Sequence, residues 1–143
     1  YATDVSKAAL TVAQRNAESL ELNVDFLQGS LLSPLPDTLR GELGAVIANL
    51  PYIPTADCEE LMVEVRDCEP RGALDGGPDG LDLIRQLISQ AKEFLRPEGL
   101  IALEAGPDQV PGLADALTEA GYKDAAWVAD PAERPRVAWA RMP

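Results

Sequence analysis

Histidine is missing from this 143-residue sequence, and cysteine nearly so, with only Cys58 and Cys68. Without histidine the chain cannot assemble the Ser–His or Cys–His pairs that activate a nucleophile. A zinc site needs about four ligands at close spacing, which are not available here, so no metal is expected. A disulfide between the two cysteines is left open, with free thiols the expectation for a reducing compartment. Positive charge is also scarce. Lys and Arg total 12 against 24 Asp and Glu, a net charge of −12. Such a surface repels nucleic acid unless another domain supplies a basic patch, so no direct nucleic-acid partner is expected. No run is apolar enough to span a bilayer, and no basic-then-apolar export signal is seen. No membrane association and a cytoplasmic location are the resulting expectations.

What is present is a globular composition, 46% hydrophobic, in a length that suits one domain with a real core. Tyr1–Asp4 reads as the end of a strand. Ser6 can cap a helix carrying Ala9, Leu10, Ala13 and Ala17 at helical spacing. Val24–Gln28 reads as a short strand, Ser33–Asp37 as a loop, and Ala45–Ala48 as a buried strand. Cys58–Val65 reads as a short helix inside a long irregular segment that runs to Pro78. Asp79 is placed to cap the next helix, whose stripe is Leu81, Ile84, Leu87, Ile88, Ala91 and Phe94. Arg96–Gly99 reads as a turn before a buried strand, Leu100–Leu103. A further helix with Val110, Leu113 and Leu117 ends at Gly121, and 125–129 and 137–140 close the chain as a hairpin. Alternating strands and helices imply an α/β fold whose sheet is mostly parallel with an antiparallel edge.

The chain is organised around Ala45–Pro54. The uncharged, partly β-branched run before Asn49 suits a strand buried on both faces of a parallel sheet. Ligands of such sheets bind beyond the carboxyl ends of the strands, where Asn49 and Tyr52 stand. These residues suit attack by a planar amino group, whose nitrogen is a poor nucleophile because its lone pair is delocalised. The Asn49 carboxamide oxygen and the Leu50 carbonyl can accept its two N–H bonds and return density to nitrogen. Pro51 restricts Leu50 and so fixes that carbonyl, and the Tyr52 ring can stack on the planar group. No proton need be exchanged with a side chain, so the work is positioning and electrostatics.

Asn49-Leu50-Pro51-Tyr52 resembles the Asn-Pro-Pro-Tyr motif of S-adenosylmethionine-dependent amino-group methyltransferases. The whole chain is similar to the catalytic domain of the HemK/PrmC family, protein-(glutamine-N5) methyltransferases of release factors. The specific stretch is Glu64–Gly77, EVRDCEPRGALDGG. Ala2–Ser6, Asp79-Gly80-Leu81 and Leu103–Gln109 extend the likeness. The resemblance implies a Rossmann-like class I methyltransferase fold and methyl transfer from S-adenosylmethionine to a glutamine amide in the Gly-Gly-Gln loop of a release factor. It implies Asn49, Leu50, Pro51 and Tyr52 as catalytic residues. For the cofactor it implies Asp4 on the ribose, with Ser30, Leu31 and Asn49 beside it. Ser30 departs from the acidic residue common at that position, and Leu31 has an ordinary core role open to it as well. An adenine amino-group methyltransferase on RNA or DNA, or an inactive fragment, is the alternative, since Asn-Leu-Pro-Tyr is typical of ribosomal RNA adenine dimethylases. Arg66 and Glu69 are candidates to pair across the long loop or to meet substrate.

One further absence bears on this likeness. Class I methyltransferases carry a first strand and a Gly-rich turn for the methionine part of the cofactor, and no strand-Gly-x-Gly-helix pattern occurs here. Residues 1–143 are therefore expected to be the C-terminal portion of a single catalytic domain, beginning after its first strand. Sheet edges left open by that gap are expected to favour self-association of the chain.

Overall fold

Ser6 starts the first helix as its sequence suggests: its hydroxyl accepts from the Ala9 N–H at 3.2 Å, and α1 runs from Lys7 to Ser19. In the computed structural model, which describes all residues 1–143, α1 connects β1 (Ala2–Asp4) to β2 (Phe26–Gln28). The two strands are parallel, with Ala2 opposite Phe26 and Asp4 opposite Gln28. A parallel pair needs such a crossover. β2 begins at Phe26 rather than Val24 because β1 offers ladder partners only from Ala2 onward. These elements belong to one compact unit, Tyr1–Leu39; the second unit is Arg40–Pro143.

The second unit holds a four-stranded mixed sheet. Its strands are β3 (Leu43–Asn49), β4 (Leu95–Glu104), β5 (Lys123–Ala129) and β6 (Pro135–Arg141), in the order β3-β4-β6-β5. β3 and β4 are parallel and in register to their last residues, Asn49 opposite Glu104. β6 is antiparallel to both β4 and β5. One face of this sheet is apolar and closed: Val46, Ile101, Leu103, Ala138 and Ala140 are all buried. α3 (Asp82–Phe94) packs on β4, and α4 (Val110–Glu119) on β5 and β6. The two helices are neighbours, since the buried Tyr122 hydroxyl after α4 donates to the Ile88 carbonyl of α3 at 2.8 Å. Ile84, Leu87, Ile88, Ala91 and Phe94 form the expected stripe of α3. The Ile, Leu and Phe side chains each contribute roughly 1.5–3 kcal/mol through burial, and Ala91 less.

Several expectations need correction. β3 is not buried on both faces: Ile47 is 77% exposed, and Ala45 and Asn49 share its open side. The reason is that α3 and α4 cover the same face of the sheet. β3 is also an edge, bonded only to β4, as β1 is bonded only to β2. Asp79 does not cap α3; the N-cap is Leu81. The Asp79 carboxylate instead accepts from the Leu81 N–H and pairs with Arg85, which holds its pKa below the usual carboxylate value. Arg96–Gly99 is not a separate turn but an irregular start to β4. Glu98 sits there at φ +62°, and the ladder jumps from Leu43–Leu95 to Ala45–Leu100. Cys58–Val65 splits into a 3-10 turn, Asp57–Glu60, and a one-turn helix α2, Val63–Arg66, because Leu61 and Met62 are extended. Arg66 pairs with its neighbour Asp67 at 2.8 Å, not with Glu69. Both thiols are free, Cys58 buried and Cys68 exposed. Burial, and then the charge of Asp75, pushes the Cys58 thiol up from its ordinary pKa.

The contact between α3 and α4 gives a stability test. Tyr122→Phe keeps the ring and removes the one hydrogen bond joining the segment after α4 to Ile88. Unfolding by denaturant should show a loss of about 1 kcal/mol. An unchanged midpoint would mean that the hydroxyl contributes nothing to the pairing of these helices.

Candidate functional site

The register of β3 and β4 brings two loops out at the same sheet edge, 50–55 after Asn49 and 105–109 after Glu104. That edge is where parallel sheets bind ligands. Asn49 is exposed, and its carboxamide makes no hydrogen bond within the chain, so its oxygen is free to accept one. The Leu50 carbonyl also has no backbone donor. Pro51 then leads into Tyr52, which is half-buried. A cleft of about 360 Å³ lies between Tyr52–Asp57 and Gly106–Gln109. Asp57 and Asp108 supply its carboxylates, and no cationic side chain lines it.

The turn after Asn49 is held from two sides. Ile53 donates to the Leu74 carbonyl at 3.0 Å and accepts from Gly76 at 2.9 Å, a parallel bridge between Ile53 and Asp75. Thr55 extends it, its N–H on Gly77 O at 2.9 Å and its hydroxyl on Asp75 Oδ1 at 2.6 Å. The Thr55 hydroxyl, then the Gly77 N–H, then Arg71 hold the Asp75 carboxyl below its ordinary pKa. The long 53–78 segment is therefore tied shut at its base. On the other side, Gln109 Nε2 donates to the Tyr52 carbonyl at 2.9 Å.

Glycine is required where these strands of loop meet. A Cβ on Gly80, which sits at φ +79°, would stand 2.1 Å from the Tyr52 oxygen. One on Gly76 would stand 2.4 Å from the Gly80 oxygen and 2.6 Å from that of Pro51. No side chain fits at such separations. Gly76 and Gly80 thus let the backbone approach the turn that follows Asn49.

In the first unit, Asp4, Ser30 and Leu31 come together at the carboxyl end of the β1–β2 pair. Gly29 donates to the Asp4 carbonyl at 3.0 Å, so the residues after β2 turn beside the end of β1. Asp4 Oδ1 accepts from the Ser6 N–H at 2.7 Å, which orients the carboxylate and leaves Oδ2 open. Leu31 is in the left-handed region at φ +52°, its carbonyl accepting from the Thr3 hydroxyl at 2.7 Å. The Leu31 side chain is buried, so it serves the core of this unit. Sequence reasoning assigned no role to Gln109, Asp75 or Thr55. Asp75 and Gln109 lay inside segments that drew attention, but nothing in their spacing disclosed what they bond.

A parallel β3–β4 pair with an antiparallel hairpin beside it has counterparts among solved structures. The chain is similar to a methyltransferase from Pyrococcus furiosus, with a TM-score of 0.66 at 17% identity over 97% of this chain and 59% of that one. It is also similar to a Streptococcus mutans protein solved in complex with SAH, with a TM-score of 0.58 at 16% identity over 99% of this chain and 74% of that one. The fold is thus the α/β, Rossmann-like fold of the class I methyltransferases. No protein-family model matches the chain. Among curated proteins, the release factor glutamine methyltransferase of Moorella thermoacetica is 51% identical over 140 residues, 95% of this chain and 48% of that protein. The one from Geobacter sulfurreducens is 42% identical over 137 residues, 96% and 47% of the two. The chain belongs to the release factor glutamine methyltransferase family. It spans about half the length of the curated relatives it matches.

The glycine approach is testable by stability. Gly80→Ala places a methyl group against the Tyr52 carbonyl and demands a left-handed alanine. It should cost about 2 kcal/mol or more, read as a lower denaturation midpoint. Gly112→Ala, inside α4 where a Cβ meets nothing within 4 Å, is the control and should be neutral or slightly stabilising. Equal effects at the two positions would remove the close approach from this description.

Proposed function

We propose that the whole protein transfers a methyl group from S-adenosylmethionine to the side-chain amide nitrogen of a glutamine in a peptide chain release factor. The observation that carries this reading is the unpartnered Asn49 carboxamide followed by the open, proline-fixed Leu50 carbonyl, in a chain of this family. Residues 1–143 are read as part of one methyltransferase catalytic domain, and they match about half the length of the relatives.

The cofactor supplies an electrophilic methyl carbon bonded to a sulfonium sulfur. The chain's own residues do the rest by placement. Asn49 Oδ1 and the Leu50 carbonyl accept the two N–H bonds of the acceptor amide. The amide plane is thereby fixed and its nitrogen turned toward the methyl carbon. Pro51 keeps the Leu50 carbonyl from rotating away. The Tyr52 ring covers the amide face and excludes water on that side. The amide proton displaced by the incoming methyl group passes to solvent at this exposed edge, with the cofactor leaving as a neutral thioether. Charge that develops on the nitrogen is met by two fixed oxygen dipoles, which cost no reorganisation.

The donor set at the first unit fits a ribose. Asp4 offers a carboxylate oriented by the Ser6 N–H with one oxygen unengaged, the arrangement that accepts vicinal hydroxyls. Ser30 offers an exposed hydroxyl beside it for the adenine, and Leu31 is its apolar neighbour in the core of this unit. Two sheet edges bear on the partners of the isolated chain. The open sides of β1 and β3, with Ile47 exposed, support pairing between copies. No helix is long and apolar enough to cross a membrane, and a cytoplasmic location is the proposal that accompanies a release-factor substrate.

The test uses the full-length protein, labelled S-adenosylmethionine and a release factor containing Gly-Gly-Gln. Label should enter the glutamine of that loop. Label in RNA or DNA with the release factor unlabelled would replace this function with amino-group methylation of adenine. Asn49→Ala should lower the rate by at least ~10²-fold, the scale for losing one preorganised polar contact. Cofactor affinity should fall far less than the rate. Wild-type turnover in Asn49→Ala would remove Asn49 from the mechanism.

A further inference from the structure

We propose that Gln109 is a positioning residue for methyl transfer, one that aims the Leu50–Tyr52 turn at the acceptor amide without touching it. The inference rests on the function proposed above and adds a residue to its machinery. The Gln109 carboxamide joins three segments far apart in sequence. Its Oε1 accepts from the Gly106 N–H at 2.9 Å. Its Nε2 donates to the Tyr52 carbonyl at 2.9 Å and to the Asp79 carbonyl at 3.1 Å. Both amide hydrogens and one oxygen lone pair are used, a pattern that needs a neutral carboxamide.

The molecule makes room for this group. A Cβ on Gly80 would lie 2.6 Å from Gln109 Nε2, and one on Gly106 would lie 2.9 Å from Oε1. Two glycines therefore stand where any side chain would displace the carboxamide. What the carboxamide holds is also specific. Between Asn49, fixed in the β3–β4 ladder, and Ile53, fixed on Leu74 and Gly76, the turn is held by one side chain, that of Gln109. Holding the Tyr52 carbonyl sets the peptide plane next to the Tyr52 ring. Across the stiff Pro51 it also limits the direction of the Leu50 carbonyl. The start of α4 does not depend on the side chain, because Gln109 N–H to Gly106 O and Leu113 N–H to Gln109 O are backbone bonds.

The test is made in the full-length enzyme with Gln109→Ala and Gln109→Glu. Quantities compared are kcat on a release factor, KM, cofactor affinity and melting temperature. Gln109→Ala should lower kcat about 10²-fold, the scale of a misplacement of about 1 Å, with KM and cofactor affinity little changed. Gln109→Glu turns a carboxylate toward two carbonyl oxygens and should be the worse variant at neutral pH. Its kcat relative to wild type should recover as pH falls toward about 5, because a protonated carboxyl regains a donor for the Tyr52 carbonyl. Gln109→Ala should show no such recovery. Wild-type kcat in Gln109→Ala below its melting temperature, even with that temperature lowered, would overturn the proposal and leave Gln109 a purely structural tie. Should wild-type enzyme leave the release factor unmethylated, the function proposed above fails first. That outcome overturns the role of Gln109 in methyl transfer too, and amide exchange at Ile53 and Gly80 in Gln109→Ala separates the two failures, since it reads the tie to the turn without any turnover.

Discussion

The parallel pairing of β3 with β4 is the constraint on which the second unit depends. Val46 and Ala48 stand opposite Ile101 and Leu103, and burial of that face against α3 and α4 fixes the register. A slip of one residue would turn Ile101 and Leu103 outward and Ala102 inward. Because the register holds to the strand ends, Asn49 and Glu104 finish side by side. The loops that follow must then leave at one edge, and the cleft between them is a consequence.

The turn after Asn49 gains its shape from backbone contacts more than from apolar packing. Ile53 and Thr55 are bridged to 74–77, while Tyr52 is held by Gln109 from the opposite side. Asp75 and Gln109 play matching parts, each using one side chain to fasten a loop to this turn. Salt bridges contribute little to the arrangement. Arg71 to Glu59 and Arg85 to Asp79 are solvent-exposed, and pairs of that kind are worth roughly 0–1 kcal/mol. Glycine matters more, since Gly76 and Gly80 permit an approach that no substitution could preserve.

The same logic explains why nothing at this edge must titrate. Under the proposed function, methyl transfer to an amide asks for two acceptors, a planar cover and a fixed electrophile. A chain with no histidine can meet that demand with a carboxamide, a carbonyl and a ring. Asp57 and Asp108 in the cleft, with a net charge of −12, offer no cationic lining to a phosphate backbone.

Much of this was legible in the sequence. The Ser6 cap, the stripe from Ile84 to Phe94, the hairpin at the end of the chain and the position of Asn49 at a strand end all follow from local signals. Those signals are short-range, because periodicity, capping and turn chemistry act over a few residues. The tertiary structure alone decided which face of β3 is closed, since that depends on both helices choosing one side of the sheet. It also decided that Ile53 and Thr55 bond to residues 74–77 across the long segment. Above all it decided the partners of Gln109. Its bonds to Tyr52 and Asp79 span 57 and 30 residues, and no local pattern encodes a contact that only the closed fold brings within reach.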